Sequence, residues 1–183
     1  MLLASGAGSN VENIIKYFVS KPMLEVASVF CNNPTAKVID RAIENDVPVV
    51  VFTKEEFKSN VVLDKLKAIN PDLVVLAGFL LQLPTVLIDA FPNKIINIHP
   101  ALLPKYGGKG MYGQFVHQAV LDNSEKETGI TIHFVNEHYD DGKVIFQKST
   151  TVNDCTTAEE IATKVHALEH EFYPKVIEQL LKR

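Results

Sequence analysis

Short apolar runs alternate with helix-length amphipathic stretches along this 183-residue chain, and this alternation constrains the fold most strongly. The runs MLLAS, EVASVF, VPVVVF, DLVVLAG and KIINIH have the length and uniform hydrophobicity of buried strands. Stretches such as NVENIIKYFV and KEEFKSNVVLDKLKAI are each predicted to form one helix, because their apolar residues recur at helical spacing. Strands that are apolar throughout are covered on both faces, which is typical of a parallel sheet built from βαβ units.

The pattern changes after residue 100. YGQFVHQAVLD has helical spacing, whereas GITIHFV alternates and GKVIFQKSTTV follows it after a turn, which predicts an antiparallel extension of the sheet. The capping pair Thr157 and Glu160 predicts a last helix, and Pro174 is expected to kink or interrupt it. We therefore predict one domain over residues 1–183 with an α/β, Rossmann-like fold: an open, mostly parallel sheet with helices on both faces and an antiparallel C-terminal extension.

Charge and composition disfavour several classes of protein. A net charge of −4 gives no support for nucleic-acid binding. The two cysteines form no Cys-x-x-Cys pattern, which indicates a reducing compartment. No run approaches the roughly 18 apolar residues of a membrane span, and the opening residues do not have the pattern of a signal peptide. We therefore expect a cytoplasmic protein without membrane or nucleic-acid partners.

The motif ASGAGSN, residues 4–10, follows the first predicted strand. Gly6 and Gly8 allow a tight turn, and Ser9 or Asn10 can cap the helix that follows. The N-terminus of such a helix can bind phosphate. A nicotinamide dinucleotide is disfavoured, because the third glycine of its fingerprint and an acidic residue for the ribose are both missing. A phosphate site and an ordinary strand-to-helix turn are equally compatible with this spacing.

Asn97 and His99 stand two positions apart at the end of an apolar strand, so their side chains lie on the same face. A carboxamide beside an imidazole can stabilise an oxyanion and move a proton. Both groups could equally bond to neighbouring backbone. Open parallel sheets bind ligands at the carboxyl ends of their strands, and the glycine turn and AGF also follow strands. We therefore favour a shared crevice.

The segment NEHYDDGKV, residues 136–144, contains adjacent aspartates, of which at most one can face a given site. Its Asp-Asp-Gly sequence also suits a simple turn. His166 and His170 lie one helical turn apart around Glu169, but zinc needs three or four ligands and no further ligand is marked by spacing. We therefore predict no metal site. His133, within the alternating strand, could face the crevice or pack in the core.

Several motifs together resemble the glycinamide ribonucleotide formyltransferases, a family within the folate-dependent formyltransferases. The motifs NIHPALLPKY and, some thirty residues later, HFVNEHYDDG are specific for the superfamily, and the glycine-serine-asparagine turn and EHEFYP narrow the resemblance to this family. The resemblance covers essentially the whole chain, since ASGAGSN, PDLVVLAGF and ALEHEFYP also occur in the family's order.

The resemblance implies transfer of a formyl group from 10-formyltetrahydrofolate to the amine of phosphoribosylglycinamide, in purine biosynthesis, without a metal. The family's asparagine, histidine and aspartate triad falls on Asn97, His99 and Asp140. The residues implied to bind phosphoribosylglycinamide are Gly8, Ser9, Asn10 and Glu169. The residues implied to bind the folate are Leu80, Leu81, Leu83, Asn97, Val135, Asn136, Tyr139 and Asp140.

The resemblance also suggests a nucleotide-binding half, residues 1–100, a folate-binding and catalytic half, residues 101–183, and a monomer or homodimer. Leu81 stands where the family often has an arginine, and the arginine expected after the third strand for the substrate phosphate has no clear match. Phosphate binding is therefore expected to depend more on backbone amides or a lysine. The glycine-rich segment GGKGMYG is expected to move, because glycines permit large backbone changes, and it could form a lid over the site. Three alternatives remain: formyl transfer to another amine, hydrolysis of formyl-folate, and a non-catalytic nucleotide-binding module. The chain is expected to be too short for the extra domains that relatives with the first two activities carry.

Overall fold

The strands and helices of the computed structural model, which describes residues 1–182, alternate along most of the chain. The strands are β1 (Leu2–Ala4), β2 (Val29–Cys31), β3 (Val49–Val51), β4 (Val74–Leu76), β5 (Ile95–His99), β6 (Glu127–Phe134) and β7 (Val144–Thr151). The helices are α1 (Ser9–Phe18), α2 (Val38–Ile43), α3 (Lys54–Lys58), α4 (Asn60–Ile69), α5 (Thr85–Ala90), α6 (Gln114–Asp122) and α7 (Ala158–Leu181).

The seven strands form one sheet in the order β3-β2-β1-β4-β5-β6-β7. The strands from β3 to β5 in this order pair in parallel, whereas β6 is antiparallel to both β5 and β7. Successive side chains of a strand enter opposite layers: Leu2 packs with α1 and α7, and Leu3 packs with α4 and α5. The predicted fold is confirmed by this strand order and pairing. Strands β1, β2 and β4 are buried throughout, as their composition requires, whereas β3 and β7 at the two edges of the sheet are half-buried to exposed.

The stretch predicted as one helix over residues 54–69 is two helices, so this prediction was wrong. Ser59 is extended, with φ −88° and ψ −177°, and it separates α3 from α4. Its hydroxyl accepts a hydrogen bond from the Val61 amide at 3.4 Å, which caps the second helix. A serine that bonds to local backbone has thereby broken a continuous helical pattern.

Helix α7 continues past Pro174, and the expected interruption is not observed. Proline has no N–H, so the carbonyl of His170, four residues earlier, loses its helical donor. The side-chain amide of Asn13 in α1 donates to this carbonyl at 2.8 Å. A neighbouring helix thus supplies the missing hydrogen bond. Within residues 1–182, no helix combines the length and apolar character that crossing a membrane requires.

Candidate active site

Two neighbouring cavities lie at the carboxyl ends of β1, β4 and β5. The larger has a volume of about 650 Å³ and is bounded by the glycine turn, the end of β5, the glycine-rich segment and α7. The smaller, of about 70 Å³, is bounded by Leu81, Leu83 and the residues that connect β6 to β7. Four residues line both cavities: Phe79, Asn97, Tyr139 and Asp140. The predicted crevice therefore exists, and both cavities draw residues from both sides of position 100.

The glycine turn after β1 is shaped by close backbone packing. Gly8 has φ +77°, and a Cβ on it would lie 2.5 Å from the Val38 side chain, so both its conformation and its surroundings require glycine. Gly8 itself is the N-cap residue of α1, and it has no side-chain cap. The expectation that Ser9 or Asn10 caps this helix was therefore wrong. Both residues instead belong to the first turn of α1 and line the larger cavity.

Asn10 and Glu169 join α1 to α7 inside the larger cavity. The Asn10 amide donates to Oε2 of Glu169 at 2.8 Å. Burial raises the pKa of Glu169, although this hydrogen bond acts in the opposite direction. Oδ1 of Asn10 is buried, and no group among residues 1–182 donates to it. A ligand hydroxyl or N–H group would satisfy that oxygen.

Asn97 and His133 are directly paired across β5 and β6. The histidine Nδ1 lies 2.9 Å from the carbonyl of Phe134, and Nε2 lies 3.3 Å from Nδ2 of Asn97. Because the carbonyl can only accept, Nδ1 carries the proton and Nε2 accepts from Asn97. One N–H of Asn97 is thus held by His133, and Asn97 lines both cavities. His133 faces the site, which the sequence had left undecided.

The imidazole of His99 is buried between two oxygen atoms. Nε2 lies 2.7 Å from the carbonyl of Tyr106, and Nδ1 lies 3.5 Å from Oδ2 of Asp140. Burial lowers the pKa of His99, while the Asp140 charge and the Tyr106 carbonyl act in the opposite direction. The carbonyl of Tyr106 selects the neutral tautomer with its proton on Nε2. Nδ1 is then the nitrogen that can receive a proton, next to a carboxylate.

The carboxylate of Asp140 is held by three segments. Oδ2 accepts a hydrogen bond from the Gly108 amide at 2.9 Å and lies 3.5 Å from Nδ1 of His99, and Oδ1 lies 3.6 Å from Nε2 of His133. Burial alone would raise the pKa of Asp140, whereas the hydrogen bond from the Gly108 amide lowers it, as do His133 and His99 when their rings are protonated. The ionised form is therefore favoured, whereas the neighbouring Asp141 is exposed.

The turn that carries Asp140 is restricted by its surroundings. Asp140 has φ +54°, in the left-handed region that few side chains adopt. Two residues later, a Cβ on Gly142 would collide with the carbonyl of Phe134. The glycine therefore lets the chain return close to β6, which brings the aspartate back to β5.

The remaining predicted residues divide between the two cavities. The larger contains Leu80, which is 54% exposed, and the smaller contains Leu81, Leu83, Val135 and Asn136. Within the described residues, the larger cavity is lined by no arginine, and its basic side chains are Lys109, His99, His117 and His166. Among residues 1–182, no cluster of three or more histidine, cysteine or acidic side chains is arranged to hold a metal ion.

Three residues of the site were not predicted from the sequence to belong to it. Tyr106 and Gly108 act through backbone groups, which leave no pattern in the side chains. His133 had a signal: it shares a strand face with Thr131, opposite the apolar Ile130 and Ile132. That polar face pairs with the face of β5 that carries Asn97.

The fold and this site together define a class of enzyme. A family profile described as formyl transferase matches residues 1–177. The chain belongs to the formyl transferase family, as its motifs had indicated.

Several relatives within the family share one activity in their names. A phosphoribosylglycinamide formyltransferase of Bacillus subtilis is 36% identical over 98% of this chain and 93% of that protein. A chloroplastic one of Arabidopsis thaliana is 38% identical over 96% of this chain. The chain spans 63% of the length of the Arabidopsis protein and 59% of a Vigna unguiculata relative.

Solved structures show the same likeness. The crystal structure of glycinamide ribonucleotide transformylase 1 from Geobacillus kaustophilus has a TM-score of 0.89 and 34% identity, over 98% of this chain and 96% of that one. A phosphoribosylglycinamide formyltransferase from Bacillus halodurans has a TM-score of 0.88 and 33% identity, over 100% of this chain and 94% of that one.

Proposed function

We propose that this protein transfers the formyl group of 10-formyltetrahydrofolate to the amine of phosphoribosylglycinamide, as a step of purine biosynthesis. The proposal rests on one observation: two cavities that differ in size and in lining share Asn97 and Asp140. A transfer between two substrates needs two sites that open on the same reacting groups. The names of the relatives support phosphoribosylglycinamide as the formyl acceptor, and the family resemblance implies 10-formyltetrahydrofolate as the donor.

The larger cavity suits the phosphorylated substrate. Backbone amides and the positive end of α1 favour an anion at the glycine turn. Because no arginine lines this cavity within the described residues, Lys109 and His166 are the side chains that we expect to assist with the phosphate. Glu169 and the unsatisfied oxygen of Asn10 suit ribose or glycinamide N–H and hydroxyl groups.

The smaller cavity suits the pterin ring of the folate. Leu81 and Leu83 provide an apolar wall, and the backbone of residues 135–140 provides polar groups along the opposite side. The rest of the folate would extend past Tyr139, whose side chain is 42% exposed. These roles cross the expected division at residue 100, because Glu169 of the second half is assigned to the nucleotide, whereas Leu81 and Leu83 of the first half are assigned to the folate.

In the proposed reaction, the substrate amine attacks the formyl carbon and its oxygen gains negative charge. The amide of Asn97 donates a hydrogen bond to that oxygen, and such a donor is typically worth about 100- to 1,000-fold in rate. A C–N bond to the new amine forms, and the bond to the folate nitrogen breaks. Asp140 receives the proton of the amine, directly or through a water, and returns it to the folate nitrogen. While Asp140 holds this proton it can share it with Nδ1 of His99, 3.5 Å from Oδ2, and the protonated imidazole stabilises the developing charge.

A direct assay tests this proposal. Purified protein should convert phosphoribosylglycinamide and 10-formyltetrahydrofolate into the formylated nucleotide and tetrahydrofolate in equal amounts. Binding of both substrates without turnover would overturn it. Formate release in the absence of the amine would indicate a hydrolase instead. The monomeric or dimeric state and the cytoplasmic location remain predictions.

A further inference from the structure

Tyr106 connects His99 to a residue outside both cavities. Its carbonyl accepts from Nε2 of His99 at 2.7 Å, and its hydroxyl donates to Oε1 of Glu125 at 2.9 Å. Lys105 donates to the same oxygen at 2.8 Å. Glu125 lines neither cavity, so this chain of hydrogen bonds links the imidazole of His99 to a residue outside the site.

The backbone at Tyr106 is in a conformation that needs support. Its φ is +56°, in the left-handed region that a tyrosine rarely adopts. Gly107 and Gly108 follow it, and glycines restrain the chain poorly. The side chain of Tyr106 therefore stabilises this backbone conformation, because its ring packs against the core and its hydroxyl donates to Glu125.

Glu125 itself is firmly placed. Its amide donates to the carbonyl of Val120 at the end of α6, at 3.2 Å. The next residue, Lys126, accepts from the amide of Val152 at 2.9 Å, which ties the segment to the residue after β7. Hydrogen bonds from Lys105 and Tyr106 lower the pKa of Glu125, so it is ionised and accepts strongly.

We propose that Glu125 is a positioning residue for His99 and acts through Tyr106. By fixing the tyrosine, it directs the carbonyl to Nε2, which keeps the imidazole proton there and leaves Nδ1 facing Asp140. The importance of this for turnover rests on the proposed function. The effect on the tautomer of His99 does not.

Nitrogen NMR of the histidine rings, recorded on the substrate-free protein, tests the tautomer. Tyr106→Phe keeps the ring and removes only the hydroxyl, and Glu125→Ala removes its partner. Both should convert His99 from a single Nε2–H tautomer to a mixture. Both should also lower kcat about tenfold, the effect of one lost hydrogen bond, while each KM stays within about twofold.

Two further variants separate positioning from general stability. Glu125→Gln keeps an acceptor for the tyrosine hydroxyl and should restore most of the activity and the single tautomer. Lys105→Met removes the other partner of Glu125 and should leave both close to wild type. If Glu125→Ala fails to fold, Tyr106→Phe still decides the question, because its ring packing is kept.

The double variant Tyr106→Phe/Glu125→Ala should be no worse than either single variant, because both break one chain of contacts. Additive losses, or an unchanged tautomer in Tyr106→Phe, would overturn the proposal. If the wild-type protein shows no turnover but Tyr106→Phe and Glu125→Ala still convert its single Nε2–H tautomer to a mixture, the proposed function is refuted while the positioning of His99 is supported.

Discussion

Oδ2 of Asp140 lies 3.5 Å from Nδ1 of His99, although 41 positions separate the two residues along the chain. The same oxygen accepts from the Gly108 amide at 2.9 Å. A carboxylate kept ionised beside an uncharged imidazole nitrogen forms a pair that can accept one proton from a neighbouring amine. Asp141, the adjacent carboxylate, is exposed and makes no such contact among the described residues.

Asp140→Asn should therefore lower kcat by about 100- to 10,000-fold, the usual contribution of a group that transfers a proton. Asp141→Asn is the matched control and should retain nearly full activity. Steady-state kinetics on both variants checks this. Equal losses in the two would show that the carboxylate assignment within the turn is wrong.

Ser9→Asp should raise the KM for phosphoribosylglycinamide at least about tenfold, because it places a negative charge where we expect the phosphate. The KM for the folate should change less than about twofold. Folding should not suffer, since an acidic residue in the first turn of a helix is favourable. Ser9→Ala, which removes the hydroxyl without adding charge, separates the two effects. An equal rise in both KM values would contradict a phosphate site at this turn.

His117 should make the folded state less stable at acidic pH. Burial lowers its pKa from 6.5 to about 4, with the nearby His166 and His99 acting in the same direction. Between these pH values the unfolded chain binds a proton that the folded protein does not bind. The free energy of unfolding should therefore fall as pH drops from about 6.5 to about 4, and level off below.

His117→Gln cannot titrate and should flatten that part of the pH profile. Urea unfolding of wild type and variant at a series of pH values between 7.5 and 4 measures the difference. Parallel profiles for the two proteins would show that another group is responsible for the acid sensitivity.

Asn13→Ala should destabilise the protein by about 1 kcal/mol, because the carbonyl of His170 then loses its donor. In a Pro174→Ala background the backbone N–H at position 174 can donate to that carbonyl again. The same Asn13→Ala change should then cost almost nothing, as measured by chemical denaturation of the four proteins. An undiminished cost in that background would mean that Asn13 stabilises the helix pair in some other way.

The fold could be predicted because its determinants are local. Uniformly apolar strands and amphipathic helices follow from periodicity, and the antiparallel extension follows from the changed pattern after residue 100. The errors came from single residues that form specific hydrogen bonds. Ser59 breaks a helix by capping the next one, and Pro174 is accommodated by Asn13 in another helix.

The site was only partly predictable. The side-chain pattern marked Asn97 and His99, and family resemblance was needed to favour Asp140 over simple turn chemistry. The groups that orient them are backbone atoms of Tyr106 and Gly108. Every residue has a backbone carbonyl, and every residue except proline has a backbone N–H. The residue types at positions 106 and 108 therefore do not reveal where these backbone groups point.

The antiparallel pairing of β6 with β5 also determines when activity can appear as the chain folds. The parallel half of the sheet already contains the glycine turn, Asn97 and His99, whereas Asp140 reaches them only after β6 has paired and the chain has turned back at Gly142. A refolding molecule can thus form the glycine turn before the carboxylate that we propose to transfer the proton is in place. Recovery of turnover would then report that β6 has paired with β5 and that the chain has turned back at Gly142.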